Sequence, residues 1–523
     1  MATVINRWVD SSSSFKLGLA TITLTTIGYG VVQVIKRLSN DVKPLPPPPG
    51  PPRQFLIGNL RQFPKDHFYE KFCEWQKEYG DVVYVEIPGI PMVIISSYEI
   101  AQNLLGKRPN STSGRLTGYM LREVMGLKWT TTFLQPGPQH SHHRQMLRRG
   151  IGPQRVASHT DNIEKNTVGL VLSLQDFEGD PHALVLDTVG RIVIEVTYGT
   201  KLRSIMGKEL SSWNAELVHL FSSAFSTFWL VDIFHFLRLV PSWVPGASFK
   251  KIGDRSIWLS QQVRYTAFNK AQELYKSGDI GHSLAADLLD EFGSSEDVMD
   301  TLATLYGAGS DTTASATNAF IYALFLFPEV SQKVYEEVIT VTNGTRLPQT
   351  SDRVNLPYAE AVWKEAFRWK TFVPIGIAHV NTQDEIVSGS LIKAGTLINL
   401  NNGFMLMDPK VWGDPEAFRP ERFLEAGAHA LPNPLVVAFG YGARVCPGIY
   451  LADKTGFHIA TTIAALYEIA PLEGRSRPKP ELTEYTDTAF RLPVGFECRF
   501  IPRDARAEHL LRTMAISTEA TIS

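Results

Sequence analysis

The sequence predicts a helix-bearing globular domain behind an N-terminal membrane anchor, and three stretches carry that expectation. Residues 17–35 have no charge, and residues 301–327, TLATLYGAGSDTTASATNAFIYALFLF, form a long apolar run. YAEAVWKEAFRWK, residues 358–370, repeats apolar side chains at helical spacing. Taken from the N terminus, a short segment 1–16 leads into a spanning helix over 17–37. The nineteen residues between Lys16 and Lys36 reach about 28 Å as a helix, close to a hydrocarbon core of roughly 30 Å. Four threonines and a glutamine lower the hydrophobicity of the run, so a cleaved signal peptide is the competing reading. Lys36-Arg37 directly after it favours an uncleaved anchor with the following chain in the cytosol, although Arg7 and Lys16 weaken the asymmetry.

Residues 38–53 include KPLPPPPGPP, a stiff extended spacer between membrane and domain. Length alone suggests about three domains, yet no shift of composition and no long linker divides residues 54–503. Hydrophobic residues at 44% and charged residues at 20% are those of a globular chain with a large core. A net charge of −2 gives no basic excess for nucleic acid. Residues 504–523 show no pattern beyond one possible short helix and are expected as a disordered tail.

The chemistry is concentrated in AFGYGARVCPGIY, Ala438 to Tyr450. Cys73, Cys446 and Cys498 are odd in number and far apart, so neither a disulfide framework nor a four-cysteine zinc site can be assembled. An ordinary buried thiol is the simplest use for such a residue. The neighbours of Cys446 argue otherwise. Gly440 and Gly442 permit a tight turn and the close approach of a flat partner, while Pro447 suits the first turn of a helix running on through Gly448 and Leu451. A sulfur at a helix N terminus is favoured as thiolate, the form that ligates metals or attacks electrophiles. Arg444 adds a cation matched to an anionic group such as a carboxylate.

Phe439, Gly442, Arg444, Cys446 and Gly448 fill every fixed position of Phe-x-x-Gly-x-Arg-x-Cys-x-Gly, with Gly440 at a variable one, and the segment thereby resembles the haem-binding loop of the cytochrome P-450 superfamily. The resemblance implies one large, mostly helical catalytic domain with a small β-rich lobe, and haem b held through the Cys446 thiolate. Glu365 and Arg368 match the family's Glu-x-x-Arg, which by itself is an ordinary ion pair on a helix face. With Arg422, from FRPERF, they are expected to form a buried network behind the haem that is structural rather than chemical. Ala308 to Thr313 resembles the oxygen-binding kink of the family's distal helix. There a threonine hydroxyl bonds the carbonyl four residues back and opens the helix, which Gly307 and Gly309 already weaken. Thr312 would then hydrogen-bond dioxygen and Asp311 would link solvent to the proton relay. In GPQHSHHRQMLRRGI the family usually has Trp-x-x-x-Arg against a haem propionate. Here His140 replaces the tryptophan, Arg144 follows as expected, and an imidazole can still donate to a carboxylate. His379 aligns with a residue against the other propionate.

The resemblance extends to the microsomal class: a single-pass protein of the endoplasmic reticulum, cytosol-facing, supplied with electrons by an NADPH-dependent cytochrome P-450 reductase that docks on basic surface. The implied reaction inserts one atom of O2 into a substrate. The pocket is expected from residues 113–133, 221–236, 373–377 and 488–490 with Thr304 and Ala308. These are mostly apolar or hydroxylic, which favours a neutral lipophilic substrate. The whole chain looks like fungal, mushroom-type members of secondary metabolism, so terpenoid hydroxylation comes first and hydroxylation of an aromatic or indole second. An O2-independent isomerase or dehydratase of the same family would not need Asp311-Thr312. A haem sensor would need no proton relay, and an interaction protein would not need the loop at Cys446.

Overall fold

The computed structural model of the protein describes residues 45–115 and 118–522. The expected anchor at 17–37 and the start of the spacer lie outside them, and residues 45–50 of the spacer have no regular secondary structure. Among the described residues no helix is long and apolar enough to cross a membrane. The chain divides into two units. The small one includes Gly389–Leu391 and, of the described residues, 45–47, joined by the Leu391 amide donating to the Pro46 carbonyl at 2.9 Å. The large one is the rest, 48–388 and 392–523.

Seven helices of the large unit bear on function: α1 (Pro138–Ile151), α2 (His182–Tyr198), α3 (Thr200–Phe225), α4 (Glu296–Leu326), α5 (Pro357–Arg368), α6 (Ile449–Leu466) and α7 (Ala505–Ile522). The long apolar run of the sequence is α4. Ser295 caps it by accepting the Val298 amide, and Glu296 and Asp297 complement the positive end of its dipole. From Val298 to Tyr306, and again from Thr313 to Asn318, every side chain is buried, as expected of a helix running through the middle of a large core. α5 and α6 close on it at Gly456. A Cβ there would stand 2.5 Å from the Trp363 ring and 2.9 Å from Thr317 Oγ1.

The strands are short. β1 (Val82–Ile87), β2 (Ile90–Ile95), β4 (His379–Val380) and β5 (Leu397–Leu400) form one sheet in the order β1-β2-β5-β4, with Met92 opposite Leu397 in the single parallel pairing. β3 (Glu178–Gly179), β6 (Tyr467–Ala470) and β7 (Cys498–Pro502) form a second sheet in the order β3-β7-β6, antiparallel throughout. The architecture is thus mostly helical with small sheets.

The C-terminal segment corrects an expectation. Residues 504–523 were expected to be disordered, but Asp504 Oδ1 accepts the Ala507 amide at 2.7 Å and α7 follows. Ala507 and Leu511 are buried and Leu510 and Met514 pack beside them. That spacing of three and four is a core-facing stripe, short enough to be lost among the polar residues around it.

Candidate active site

The loop before α6 explains its own glycines. Gly440 and Gly442 sit at φ +84° and +57°, in the left-handed region, and a Cβ on Gly442 would lie 2.3 Å from the Leu105 carbonyl oxygen. The chain can therefore double back, and the Cys446 amide donates to the Phe439 carbonyl at 2.8 Å. Cys446 is a free, half-buried thiol at the foot of α6. Burial outweighs the other causes and raises its pKa, against the Gly448 amide, the positive charge of Arg144 and the Ile449 amide, which pull it down. Those three are the groups that favour the anion a metal ligand must be.

Around the loop lies a cluster of cations with no carboxylate partner among the described residues. Arg444 donates from Nε to the Ser113 carbonyl at 2.7 Å and from Nη2 to the Leu134 carbonyl at 2.8 Å. Arg144, on α1, donates to the Val445 carbonyl at 2.6 Å. Arg115 donates to the Ile377 and Ala378 carbonyls, both at 2.6 Å, while its buried Nε has no partner. Burial, then Arg444, holds the Arg115 pKa down at about 9, and burial, then Arg144, holds Arg444 at about 10. The His140 ring makes no hydrogen bond to a described group, and burial, reinforced by Arg444, Arg144 and Arg115, lowers its pKa to about 4. Buried guanidinium groups that share no anion are costly by themselves. The arrangement fits a bound group that brings carboxylates, and haem propionates meet that need.

Of the residues the sequence singled out, Cys446, Arg444, Arg144 and His140 come together here. Arg115 joins them unforeseen, because it lies in a stretch read only as pocket wall. His379 has another partner. It is buried in β4, and its Nδ1 donates to the Thr112 carbonyl at 2.9 Å. Burial and the charge of Arg115 depress its pKa to about 3. With Nδ1 bonded to Thr112, Nε2 is the nitrogen left to face a partner.

The distal helix departs from expectation as well. Thr312 Oγ1 donates to the Ala308 carbonyl at 2.8 Å, as foreseen, but α4 runs as unbroken α-helix from Glu296 to Leu326. A hydroxyl can share a carbonyl with the backbone ladder without opening the turn. Gly307 and Gly309 do not interrupt the helix either. They let neighbours approach: a Cβ on Gly309 would stand 3.0 Å from Val193 of α2, and one on Gly307 3.6 Å from Asn214 Oδ1 of α3. Ala308 is exposed and Thr312 half-buried although the helix is central, which marks a face turned to open space. Burial raises the Asp311 pKa, against the opposing charges of His182 and His219. No described bond joins Thr312 to the Cys446 loop; α6, which follows the cysteine, packs along α4 and connects them.

Behind the loop, Glu365 and Arg368 of α5 are fully buried and Arg422 nearly so. Arg368 donates to the Glu365 carboxylate from Nε and Nη2 at 2.7 and 2.8 Å, the Arg419 amide at 2.8 Å and Arg422 Nε at 3.2 Å. The remaining guanidinium protons reach the carbonyls of Leu406, Trp412, Asp414, Pro415 and Ala417. Phe439, at the end of the helix before the loop, packs 5.7 Å from Phe367 of α5.

Three of the expected pocket stretches meet at a small cleft lined by Phe68, Phe225, Pro374, Ile375, Thr488 and Arg491. The fourth is tied in by Phe133, 6.3 Å from Phe221, and by the Thr131 amide on Thr304 Oγ1 at 3.2 Å.

A profile described as Cytochrome P-450 matches residues 48–495. Cytochrome P-450 monooxygenase COX2 of Coprinopsis cinerea is 34% identical over 493 residues, 91% of this chain and 92% of that protein. Cytochrome P-450 monooxygenase 176 of Postia placenta is 31% identical over 494 residues, 90% of this chain and 93% of that protein. Cytochrome P-450 monooxygenase ple1 of Rhodocybe pseudopiperita is 30% identical over 490 residues, 90% and 92% of the two chains. With the profile spanning most of its length and full-length relatives at this identity, the chain belongs to the cytochrome P-450 family.

Proposed function

We propose that this monooxygenase hydroxylates a neutral lipophilic molecule of secondary metabolism, a terpenoid before any other class, with Cys446 as the haem ligand. The family carries haem b on a cysteine thiolate and uses O2 with NADPH-derived electrons, and the bound group supplies the chemistry that activates O2. This chain's residues bind it and manage protons. The Gly448 and Ile449 amides stabilise the Cys446 anion, and Arg115, Arg144, Arg444 and His140 take the carboxylates. Thr312, with Asp311 beside it, holds and passes protons at the open face of α4, and the apolar walls exclude water. The observation that carries the reading is the buried arginine cluster beside Cys446, which no described carboxylate neutralises.

Phe221, 6.3 Å from Phe133 and 5.7 Å from Phe225, gives the pocket region an aromatic wall. That wall favours the second reading, an aromatic or indole substrate. Anchorage in the endoplasmic reticulum membrane is supported by the charge-free run at 17–35 and by the exposed Phe236, Leu239 and Trp243. Arg148, exposed on α1, suits an acidic redox partner such as the NADPH-dependent reductase. The test is NADPH consumption by the full chain with reductase against terpene and indole panels, with Thr312→Ala alongside. The variant is expected to release more peroxide per electron consumed. Unchanged coupling removes Thr312 from the proton path, and turnover of indoles alone overturns the terpenoid reading.

A further inference from the structure

Thr304, Ala308 and Thr312 are four residues apart and share one face of α4. Thr304 is 9% exposed, and its hydroxyl oxygen accepts the Thr131 amide at 3.2 Å. A hydroxyl also has a proton to donate. At Thr312 and Thr317 that proton goes to the carbonyl four residues back. The Thr304 oxygen makes no such bond, and no described protein group accepts its proton.

The residue whose amide holds Thr304 is itself held from the surface through its hydroxyl. Thr131 Oγ1 lies 3.0 Å from Nδ1 of the fully buried His143, and His143 Nε2 lies 3.2 Å from Asp297 Oδ1, which also accepts from Gln139 Nε2 at 2.9 Å. A carboxylate only accepts, so Nε2 carries the ring proton, Nδ1 is the acceptor, and the Thr131 hydroxyl must donate to it. The Thr131 hydroxyl is thereby oriented, and Thr304 Oγ1, occupied as an acceptor, keeps its own proton on the face of α4 that also carries the exposed Ala308. A buried donor without an acceptor is unfavourable, and a ligand oxygen would complete it.

We propose that Thr304 is a specificity-determining residue that donates a hydrogen bond to an oxygen already present on the substrate, a ketone or an alcohol, with Thr131, His143 and Asp297 as positioning residues. The inference rests on the monooxygenase reading and narrows it. The substrate is a lipophile that an earlier oxygenation has already functionalised, and this enzyme performs a later oxidation on the same skeleton.

The test titrates the haem-loaded full chain with valencene and nootkatone, the hydrocarbon and the ketone of one skeleton, following the Soret shift. One neutral hydrogen bond predicts the ketone bound about tenfold more tightly. Thr304→Val, which keeps the shape but removes the donor together with the acceptor of the Thr131 amide, should bring the ratio to about one, any effect of the lost amide bond falling on both ligands alike and cancelling in the ratio. Thr304→Ser should retain the preference. Asp297→Asn and His143→Phe should lower the ratio with an unchanged ferrous carbon monoxide spectrum, whereas a merely structural role would weaken both ligands alike. A ketone that fails to bind, a ratio of one in the wild type, or a preference surviving Thr304→Val overturns the proposal. Any of these with a normal carbon monoxide spectrum leaves the monooxygenase reading standing; loss of that spectrum in the wild type removes the latter instead.

Discussion

Replacing Glu365 with alanine removes the only anion from a buried cluster. Four donors lose their acceptor: Arg368 Nε and Nη2, Arg422 Nε and the Arg419 amide, at 2.7 to 3.2 Å. Two guanidinium groups remain, 0% and 3% exposed, satisfied only by carbonyls. Breaking a buried ion network on one side costs about 3–5 kcal/mol, a large share of a total stability of roughly 5–15 kcal/mol. The α5 segment so loosened carries Phe367, which packs on Phe439 at the start of the cysteine loop, so bound haem should be lost together with stability. The control is Glu425→Ala, which breaks the Arg419–Glu425 pair, about half exposed on both sides, and should cost less than about 1 kcal/mol. Urea unfolding and haem content per polypeptide read both effects. A Glu365→Ala protein that keeps its haem and unfolds with the Glu425→Ala protein would refute the reasoning.

Gly456→Val should destabilise by about 1–3 kcal/mol through overpacking, because the new Cβ meets the Trp363 ring at 2.5 Å. Gly169→Ala, with nothing within 4 Å, should lose nothing in the same thermal melt. Asp232, which accepts the Met120 amide at 2.7 Å and so ties residues 230–239 to the segment after Gly118, has its pKa raised by burial from 3.8 to about 6, against the Met120 amide and His235. The folded protein therefore binds a proton that the unfolded chain has released. The stability from this group is present at low pH and is lost as pH rises through about 4 to 6. Asp232→Asn should flatten unfolding midpoints across that window, and an unchanged slope would contradict the burial of this carboxyl.

Where chemistry fixes residue types in a short stretch, the sequence was informative. Gly440 and Gly442 had to be glycines for conformational and steric reasons, and the Glu365, Arg368 and Arg422 network needs charges that no ordinary core would hold. α4 was legible because its apolar content exceeds what an amphipathic surface helix needs. Other features depend on contacts far apart in the chain. Arg115 reaches carbonyls more than 260 residues away, and Asp297, His143, Thr131 and Thr304 meet only because α1 packs on α4. The glycines of α4 were read as breakers because propensity is local, whereas their role is to admit Val193 and Asn214. His379 was matched to a position, but its hydrogen bond to Thr112 decides which nitrogen is free.

The central claim concerns one sulfur atom, and the ferrous carbon monoxide spectrum of the purified full chain tests it most directly. Thiolate ligation through Cys446 predicts the red-shifted Soret band of a cysteinate-bound haem, abolished in Cys446→Ser. A band at the position of histidine-ligated haem, or a protein that binds no porphyrin, would contradict it.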